Sequence, residues 1–544
     1  MTTVNTSRMN PRPDTTVRGR VPWTSAGVLV VAAILIRLLF FVGYQGRDDR
    51  NYIAYADYLN NGHTLSSLPA QTQWVGRIGF WLPLASSIKW LGTTQAAYTA
   101  VPLICSLAGI AVILLLGNMT VGRRAAMLAA ILLVFMPLDV LYATKAYPDG
   151  PVALFMVLSF CLILRSRSSD SVPMALAAGL AMGAAYLIKE TAVFAFVPLA
   201  LVMRPWSTKY WRHLAALGAA FLFVFAIELS VWTIVKGDPL YRFHVTNSAL
   251  ETAGQAMGQA DTRFLGVIPG PRPGDAYRSK NTVLDAALML TTNEEFALFY
   301  WVGIPVLMLL AWWRDSATRE LRLWIATLLL LFLFLPMVQA KYTLPRDPRY
   351  FTPLTIPLLL MLASYLLTLR PLLRVTGIAL LVSTALLGSF VGAESAKMEP
   401  QTTLARRYLA RGETIWVTPQ LATDLLMLTP ADQAAHVRVH FIEQTQRAGS
   451  FEAIELVRPD TRIAEATDAI QGGWLVLRER SAKEPPPGWT RTARLTGTPS
   501  TVTAFLQGAL RSSGLGSFAK KIAPGGGEAV LIYRCDAPAC REAS

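Results

Sequence analysis

Residues 24–44 read TSAGVLVVAAILIRLLFFVGY, an apolar run of the length that crosses a lipid bilayer. The run is too long for the core of a signal peptide, and no clean small-residue cleavage site follows it. The residues before it are polar and include four arginines, namely Arg8, Arg12, Arg18 and Arg20. We therefore predict a cytoplasmic tail over residues 1–23 and a retained first helix that runs outward.

The composition of the whole chain agrees with a membrane protein. Of its 544 residues 53% are hydrophobic and only 16% are charged, which is too apolar for an ordinary soluble enzyme. A net charge of +15 is compatible with nucleic-acid binding, but the basic residues form short clusters between apolar runs rather than one patch. This distribution is the positive-inside pattern, and it indicates the lipid bilayer rather than nucleic acid as a partner.

Ten further apolar runs predict about eleven transmembrane helices in total. They lie at 95–117, 125–144, 150–164, 172–188, 191–203, 213–235, 296–313, 321–340, 350–369 and 374–392. With the N-terminal tail inside, every turn assigned to the cytoplasm is basic. The sequence thus predicts a polytopic α-helical protein of the inner membrane with a cytoplasmic N-terminus.

Two segments depart from simple transmembrane helices. The runs 172–188 and 191–203 are short, rich in Ala and Gly, and separated only by Lys189-Glu190. We predict a hairpin whose tip lies below the outer surface, where charge and irregular backbone require a protein-lined or watery cavity. Residues 78–92 are apolar but short, and we interpret them as a helix in the outer interface.

The C-terminal part, residues 396–544, has a different character. Charged residues return, and short β-rich runs occur at 414–418, 473–477 and 529–533. An odd number of spans puts this part outside, so we predict an extracytoplasmic α/β domain. Cys535 and Cys540 lie in it, where a local disulfide is possible. The remaining two cysteines, Cys105 and Cys161, lie in apolar spans and are expected to be core residues.

Five sites on the predicted outer side carry basic residues, most of them beside carboxylates, although few bases are expected there. They are Arg47-Asp48-Asp49-Arg50, Arg77, Lys145 with Asp149, Lys189-Glu190, and Lys341 with Arg346, Asp347 and Arg349. Such residues can be snorkelling side chains or salt bridges that orient loops. A cavity with both kinds of charge also suits a sugar phosphate, because cations bind phosphate and a carboxylate can act as a base.

Three short motifs on this side resemble those of the GT-C glycosyltransferases, in particular the protein O-mannosyltransferases and the lipid A aminoarabinose transferases. They are Asp48-Asp49 shortly before Tyr52, Asp149, and Arg349-Tyr350 at the opening of a late helix. The resemblance covers about residues 25–395. The Lys-Pro-Pro element of the aminoarabinose transferases is replaced here by Val-Gly-Arg-Ile-Gly-Phe at 75–80, so the resemblance does not imply aminoarabinose as the sugar or lipid A as the acceptor.

The resemblance implies a GT-C-like catalytic domain over residues 24–395, with outer loops at about 45–94 and 236–295. It implies a sugar donor carried on polyprenyl phosphate and an extracytoplasmic acceptor hydroxyl on a glycan, a lipid or a protein. Asp48 would be the general base of an inverting transfer. Asp49 and Asp149 would orient the acceptor or hold a divalent cation, Mg²⁺ or Mn²⁺, and Asp48 is the third candidate ligand of such a cation.

The remaining candidate residues are assigned to substrate binding. Arg349, with Lys341 or Arg346, would bind the carrier phosphate. Further candidates are Arg77, Lys145, Lys189, Glu190, His244 and Tyr350. His244 can contact phosphate or act as a weak base, but it can equally be a structural histidine at a helix end.

Two other classes of function are open from the sequence. A transporter or flippase of lipid-linked sugars would also need charges in the membrane domain, but such proteins often show internal repeats and charges at the bilayer midplane. A non-catalytic scaffold built around residues 396–544 would leave the Asp48-Asp49 pair without a role. The sequence therefore favours a glycosyltransferase.

Overall fold

The computed structural model describes most of the membrane domain and the elements of the C-terminal part. The described residues are 23–46, 48–68, 73–204, 208–248, 290, 293–312, 318–338, 348–407, 415–417, 421, 425, 437–440, 463–464, 474–478, 489–499, 501–514 and 529–535. Lys341, Arg346 and Cys540 lie outside the described residues, so the predictions made for them stay predictions.

The described chain is mostly helical up to residue 407. The α-helices are α1 (Trp23–Leu39), α2 (Asp48–Asn60), α3 (Ile78–Leu91), α4 (Gln95–Thr120), α5 (Arg123–Phe135), α6 (Pro137–Tyr142), α7 (Asp149–Ser169), α8 (Val172–Ile188), α9 (Phe196–Met203), α10 (Trp211–Lys236), α11 (Ala297–Trp312), α12 (Arg319–Val338), α13 (Thr352–Thr368), α14 (Pro371–Ala396), α15 (Glu399–Arg407) and α16 (Thr501–Ser512). Short 3-10 helices cover Leu65–Ser67, Gln73–Gly76, Glu190–Ala195, Thr208–Tyr210 and Pro348–Phe351.

Five of the described helices are long and apolar enough to cross a membrane, namely α4, α7, α10, α13 with its preceding 3-10 turn, and α14. Helices α1, α8 and α9 and the first part of α11 are apolar but shorter. A polytopic helical membrane protein is therefore confirmed, whereas the number of eleven spans stays a prediction.

The predicted continuous span over 125–144 is wrong in one respect. Helix α5 ends at Phe135, and a separate short helix, α6, starts at Pro137. Proline has no backbone N–H and its ring clashes with the preceding turn, so it starts a helix more readily than it continues one.

The predicted break between 172–188 and 191–203 is confirmed, because α8 ends at Ile188 and Lys189 is extended. Helix α3 confirms a helix over 78–91, while its place in the interface stays a prediction.

Close helix packing brings the elements of the site together. Helix α8 packs between α7 and α10. The approach of α10 depends on two glycines of α8, because a Cβ at Gly179 would collide with the Leu217 carbonyl oxygen and one at Gly183 with Val224. Small residues four positions apart are a common basis of tight contacts between membrane helices. Helix α13 is buried among α5, α7, α11 and α12.

The C-terminal part contains a six-stranded mixed sheet. Its strands are β1 (Ile415–Val417), β2 (Val437–His440), β3 (Ile463–Ala464), β4 (Trp474–Arg478), β5 (Trp489–Leu495) and β6 (Val530–Cys535), in the order β3-β2-β1-β4-β6-β5. Strand β1 runs parallel to β2 and β4, and β6 runs antiparallel to β4 and β5. Strands β1, β4 and β6 confirm the three β-rich runs of the sequence. The domain boundaries and the side of the membrane stay predictions.

Candidate active site

Asp48 and Arg349 form an ion pair that joins the first and the last of the three motifs. Arg349 Nη1 lies 2.6 Å from Asp48 Oδ2, although the residues are 301 positions apart in the sequence. Asp48 is the first residue of α2, and Arg349 lies in the 3-10 turn Pro348–Phe351 before α13. Their side chains are 28% and 17% exposed, so the pair is partly open to a ligand.

Backbone contacts fix the two segments that carry this pair. The link from α1 to α2 is tied to the loop before α7, because the Gly43 N–H donates to the Thr144 carbonyl at 2.8 Å. The turn before α13 is held by Tyr300, whose hydroxyl donates to the Phe351 carbonyl at 2.8 Å. Both residues of the pair therefore come from ordered backbone.

The surroundings of Asp48 keep its carboxyl ionised. Burial raises the pKa of this carboxyl, but the guanidinium of Arg349 lowers it, and the more distant Arg77 and Lys189 add to that effect. The net result is a pKa below the ordinary value of an aspartate. Asp48 is thus a carboxylate at neutral pH, which is the form a general base requires.

The third motif residue, Asp149, forms a second and more deeply buried pair. Lys189 Nζ lies 2.5 Å from Asp149 Oδ1, and the two side chains are only 4% and 2% exposed. Asp149 starts α7, where the helix dipole favours a negative charge. Lys189 also lies 4.3 Å from the centre of the Tyr350 ring, and Arg349 lies 5.7 Å from the same ring. Tyr350 therefore lies between the two ion pairs.

Arg77 occupies the side of the cluster nearest α2. Its guanidinium donates to both oxygens of Glu190, at 2.5 and 3.1 Å, and also to the Tyr52 hydroxyl. Tyr52 lies one helical turn after Asp48, and burial raises the pKa of its phenol, which stays protonated. Three of the candidates, Arg77, Glu190 and Tyr350, thus lie around the two ion pairs, and a fourth, Lys189, belongs to one of them.

Two charged residues of this network, Arg242 and Glu228, were not predicted from the sequence. Arg242 Nη1 lies 3.0 Å from Glu228 Oε1, and its Nη2 lies 3.3 Å from Glu190 Oε2. Glu228 is buried in α10, within the apolar run 213–235. A lone carboxylate in such a run was the available signal, since ionisable residues are costly inside a membrane.

Asp49 contacts the backbone at the start of α2. It is fully buried, and its carboxylate accepts the backbone N–H groups of Gln45 at 2.5 Å and of Arg50 at 3.1 Å. These bonds fix the start of α2. The observed contacts therefore suggest a structural role for Asp49, in contrast to the role in chemistry that the sequence left open.

Two further candidates have other neighbours. Lys145 Nζ lies 3.6 Å from Glu295 Oε1 and forms an ion pair with it. The partner expected from the sequence was Asp149. His244 is 64% exposed in its side chain, and its Nδ1 lies 2.7 Å from Asp238 Oδ2 in the turn after α10. This contact agrees with the structural histidine of the two alternatives considered from the sequence.

The three aspartates do not fit a divalent-cation site as they are arranged. Asp48 pairs with Arg349, Asp149 pairs with Lys189, and Asp49 accepts backbone N–H groups. In the part of the chain that the structure describes, no three His, Cys, Asp or Glu side chains form a group that can hold a metal ion. The divalent cation considered from the sequence therefore stays a prediction.

Comparison with known proteins links this geometry to a family. Residues 78–232 match the model of the dolichyl-phosphate-mannose-protein mannosyltransferase family. No curated protein matches the sequence. The structure of ArnT from Cupriavidus metallidurans bound to undecaprenyl phosphate is similar, with a TM-score of 0.56 and 13% identity over 94% of this chain and 98% of that one. Its apo structure gives a TM-score of 0.58 and 14% identity over the same shares of the two chains.

The family match and the fold match overlap along the chain. The family match covers the part of the chain from α3 to α10, which includes Asp149, Lys189 and Glu190. The predicted resemblance is thus confirmed: residues 78–232 match the mannosyltransferase family model, and the fold is similar to that of ArnT over 94% of the chain.

Proposed function

We propose that this protein is a membrane glycosyltransferase that moves a sugar from a polyprenyl-phosphate donor to an acceptor hydroxyl outside the cytoplasm. The observation that carries this proposal is the partly exposed Asp48–Arg349 pair, with 2.6 Å between carboxylate and guanidinium. It offers a base and a phosphate-binding cation at one place. ArnT, the similar protein described above, binds undecaprenyl phosphate, a carrier of the proposed kind.

The proposed reaction is a single displacement at the anomeric carbon. Asp48 takes the proton of the acceptor hydroxyl while that oxygen forms a bond to the anomeric carbon. The bond from this carbon to the phosphate oxygen breaks, and polyprenyl phosphate leaves with the electron pair. Because the acceptor attacks opposite the leaving group, the anomeric configuration is inverted.

Arg349 acts on the leaving group in this scheme. A phosphate monoester is already an anion, so its departure needs cationic stabilisation rather than a general acid. The guanidinium that now contacts Asp48 would turn to the phosphate, because the planar fork of arginine binds phosphate with two hydrogen bonds. Donor binding would therefore open the Asp48–Arg349 pair and release the carboxylate toward the acceptor.

Asp149 is proposed to orient the acceptor. Its Oδ1 contacts Lys189, whereas its buried Oδ2 has no hydrogen-bond partner among the described residues. A buried acceptor atom without a partner costs about 1–3 kcal/mol, and a hydroxyl of a bound substrate would offset this cost. Lys189 would hold the carboxylate in place through its short contact.

The role of Arg349 predicts a specific defect in donor binding. Arg349→Ala should weaken the binding of polyprenyl phosphate roughly 10- to 100-fold, the effect of losing hydrogen bonds to a charged group. Arg349→Lys should recover only part of the affinity, since a point charge does not replace the guanidinium fork. Titration of the purified variants in nanodiscs with polyprenyl phosphate measures this effect.

Arg370→Ala is the matched control for this titration. Arg370 is exposed at the start of α14, so its loss removes the same charge at a place without a proposed contact to the donor. We expect the control to bind like the wild type. Equal affinities of Arg349→Ala and Arg370→Ala would remove Arg349 from the phosphate site.

The proposed reaction takes place outside the cytoplasm, where a lipid-linked donor replaces the nucleotide sugars of the cytoplasm. The odd number of predicted spans puts residues 396–544 on the same side. Alkaline phosphatase fused after Ser544 should then be active, and a fluorescent protein that folds only in the cytoplasm should be dark at the same position. The same two reporters fused before Met1 should give the opposite pattern. A fluorescent C-terminal fusion would contradict the topology.

A further inference from the structure

Helix α16 (Thr501–Ser512) buries polar side chains and exposes apolar ones. Thr503 is fully buried and Gln507 is 8% exposed, whereas Phe505 is 74% exposed and Val502 is 58% exposed. A helix on the surface of a soluble domain shows the opposite arrangement, with its apolar face toward the core. The outward face of α16 therefore suits an apolar environment better than water.

A hydrogen bond links α16 to the end of a membrane-spanning helix. The Thr503 hydroxyl donates to Glu394 Oε2 at 3.0 Å, and Glu394 is buried in the last turn of α14 (Pro371–Ala396). Helix α14 is one of the helices that are long and apolar enough to cross the bilayer. The link thus brings α16 to the end of a transmembrane helix.

The length of α14 indicates the depth at which this link lies. Arg374 lies in its first turn, and the rise from Arg374 to Glu394 is about 30 Å at 1.5 Å per residue. This distance equals the thickness of the hydrocarbon core of a bilayer. When Arg374 lies at one boundary of the core, Glu394 lies at the other. Phe505 follows Thr503, the partner of Glu394, by less than one helical turn and therefore lies near that second boundary.

The charge of α16 fits a lipid surface. The helix contains no acidic residue, and its last turn carries Arg511, which is exposed. Arg511 follows Val502 by nine residues, which puts it on the opposite side of the helix, so it points away from the acyl chains when Val502 and Phe505 enter them. If the apolar face bound a second protein instead of lipid, its position at the membrane boundary would have no explanation.

We propose that α16 is an interfacial helix that anchors the C-terminal sheet region to the bilayer. Its apolar face, formed by Val502 and Phe505, lies in the boundary between head groups and acyl chains, and Arg511 projects from the opposite side toward the head groups and water. Glu394 and Thr503 connect this helix to α14. The C-terminal sheet region is thus attached to the bilayer through both α14 and α16. This inference is independent of the proposed glycosyltransferase activity.

Spin labels on the full-length protein in nanodiscs test this proposal. A label at Phe505→Cys or Val502→Cys, with the four native cysteines replaced by alanine, reports its collisions with oxygen and with a water-soluble nickel chelate. Oxygen concentrates in lipid, and the chelate stays in water. The control label is at Arg491→Cys on strand β5, an exposed position away from α16.

We expect the labels at 502 and 505 to collide with oxygen several-fold more than with the chelate, relative to the label at 491. Accessibility to the chelate equal to that at 491 would overturn the proposal. An immobile label that neither reagent reaches would also overturn it, because this result indicates a contact with a second protein. A monodisperse elution profile like that of the unlabelled protein shows that each variant is folded.

Discussion

Asp48→Asn is expected to lower the rate of sugar transfer by roughly 10²–10⁴, the contribution of a general base. Asparagine keeps the shape of the side chain but cannot take the proton of the acceptor hydroxyl. Donor binding should survive or become tighter, because Arg349 loses the carboxylate that it contacts at 2.6 Å in the free protein. Donor affinity and transfer rate should be measured on the same purified protein.

Asp49→Asn is the control for this experiment. Asp49 is fully buried and accepts two backbone N–H groups, so its replacement should lower the stability of the region around α2 more than it affects proton transfer. Near-normal transfer by Asp48→Asn together with an inactive, folded Asp49→Asn would assign the base to Asp49. Transfer by both variants would leave the proposed mechanism without its base.

The Asp149–Lys189 pair predicts the largest effect on stability. Its side chains are 2% and 4% exposed, and removal of one partner leaves the other as an uncompensated buried charge. Such a loss typically costs about 3–5 kcal/mol. Lys189→Met and Asp149→Asn should each lower the unfolding temperature of the protein in detergent strongly.

The double variant Asp149→Asn/Lys189→Met separates stability from function. It contains no unpaired charge, so its unfolding temperature should lie closer to that of the wild type than either single variant does. Its transfer activity should stay low, because Asp149 is proposed to orient the acceptor. Single variants as stable as the wild type would contradict the pairing, and a fully active double variant would remove Asp149 from the acceptor site.

The grouping of the site residues was predictable because charge is expensive in a membrane. Asp48, Asp149, Lys189 and Arg349 are distant in the sequence, yet the topology assigns all of them to one side. The structure brings these four residues together in two ion pairs. The pattern of charges thus predicted that these residues share one side of the membrane, without the details of helix packing.

The individual partners could not be predicted in this way. Glu190 follows Lys189 directly in the sequence, but it contacts Arg77 and Arg242 instead. Adjacent residues point in different directions, and Lys189 is extended while Glu190 begins a 3-10 helix. The pairing therefore depends on the backbone break after α8 and on the approach of α10, which a single sequence does not specify.

A buried cluster in the membrane domain was missed altogether. Arg37 of α1 is fully buried and donates to Asp139 of α6 and, at 2.8 Å, to the Ser106 hydroxyl of α4. Both charged residues lie within runs interpreted only as apolar spans. An ionisable residue inside such a run was a signal for a buried partner. Pro137, two residues before Asp139, was likewise the available signal for the break between α5 and α6.

A structure determined with polyprenyl phosphate bound would test the central claim most directly. We predict that the lipid phosphate lies within hydrogen-bond distance of the Arg349 guanidinium, that the contact between Arg349 and Asp48 is open, and that Asp48 faces the position of the anomeric carbon. A phosphate bound elsewhere, with the Asp48–Arg349 pair still intact, would contradict the account.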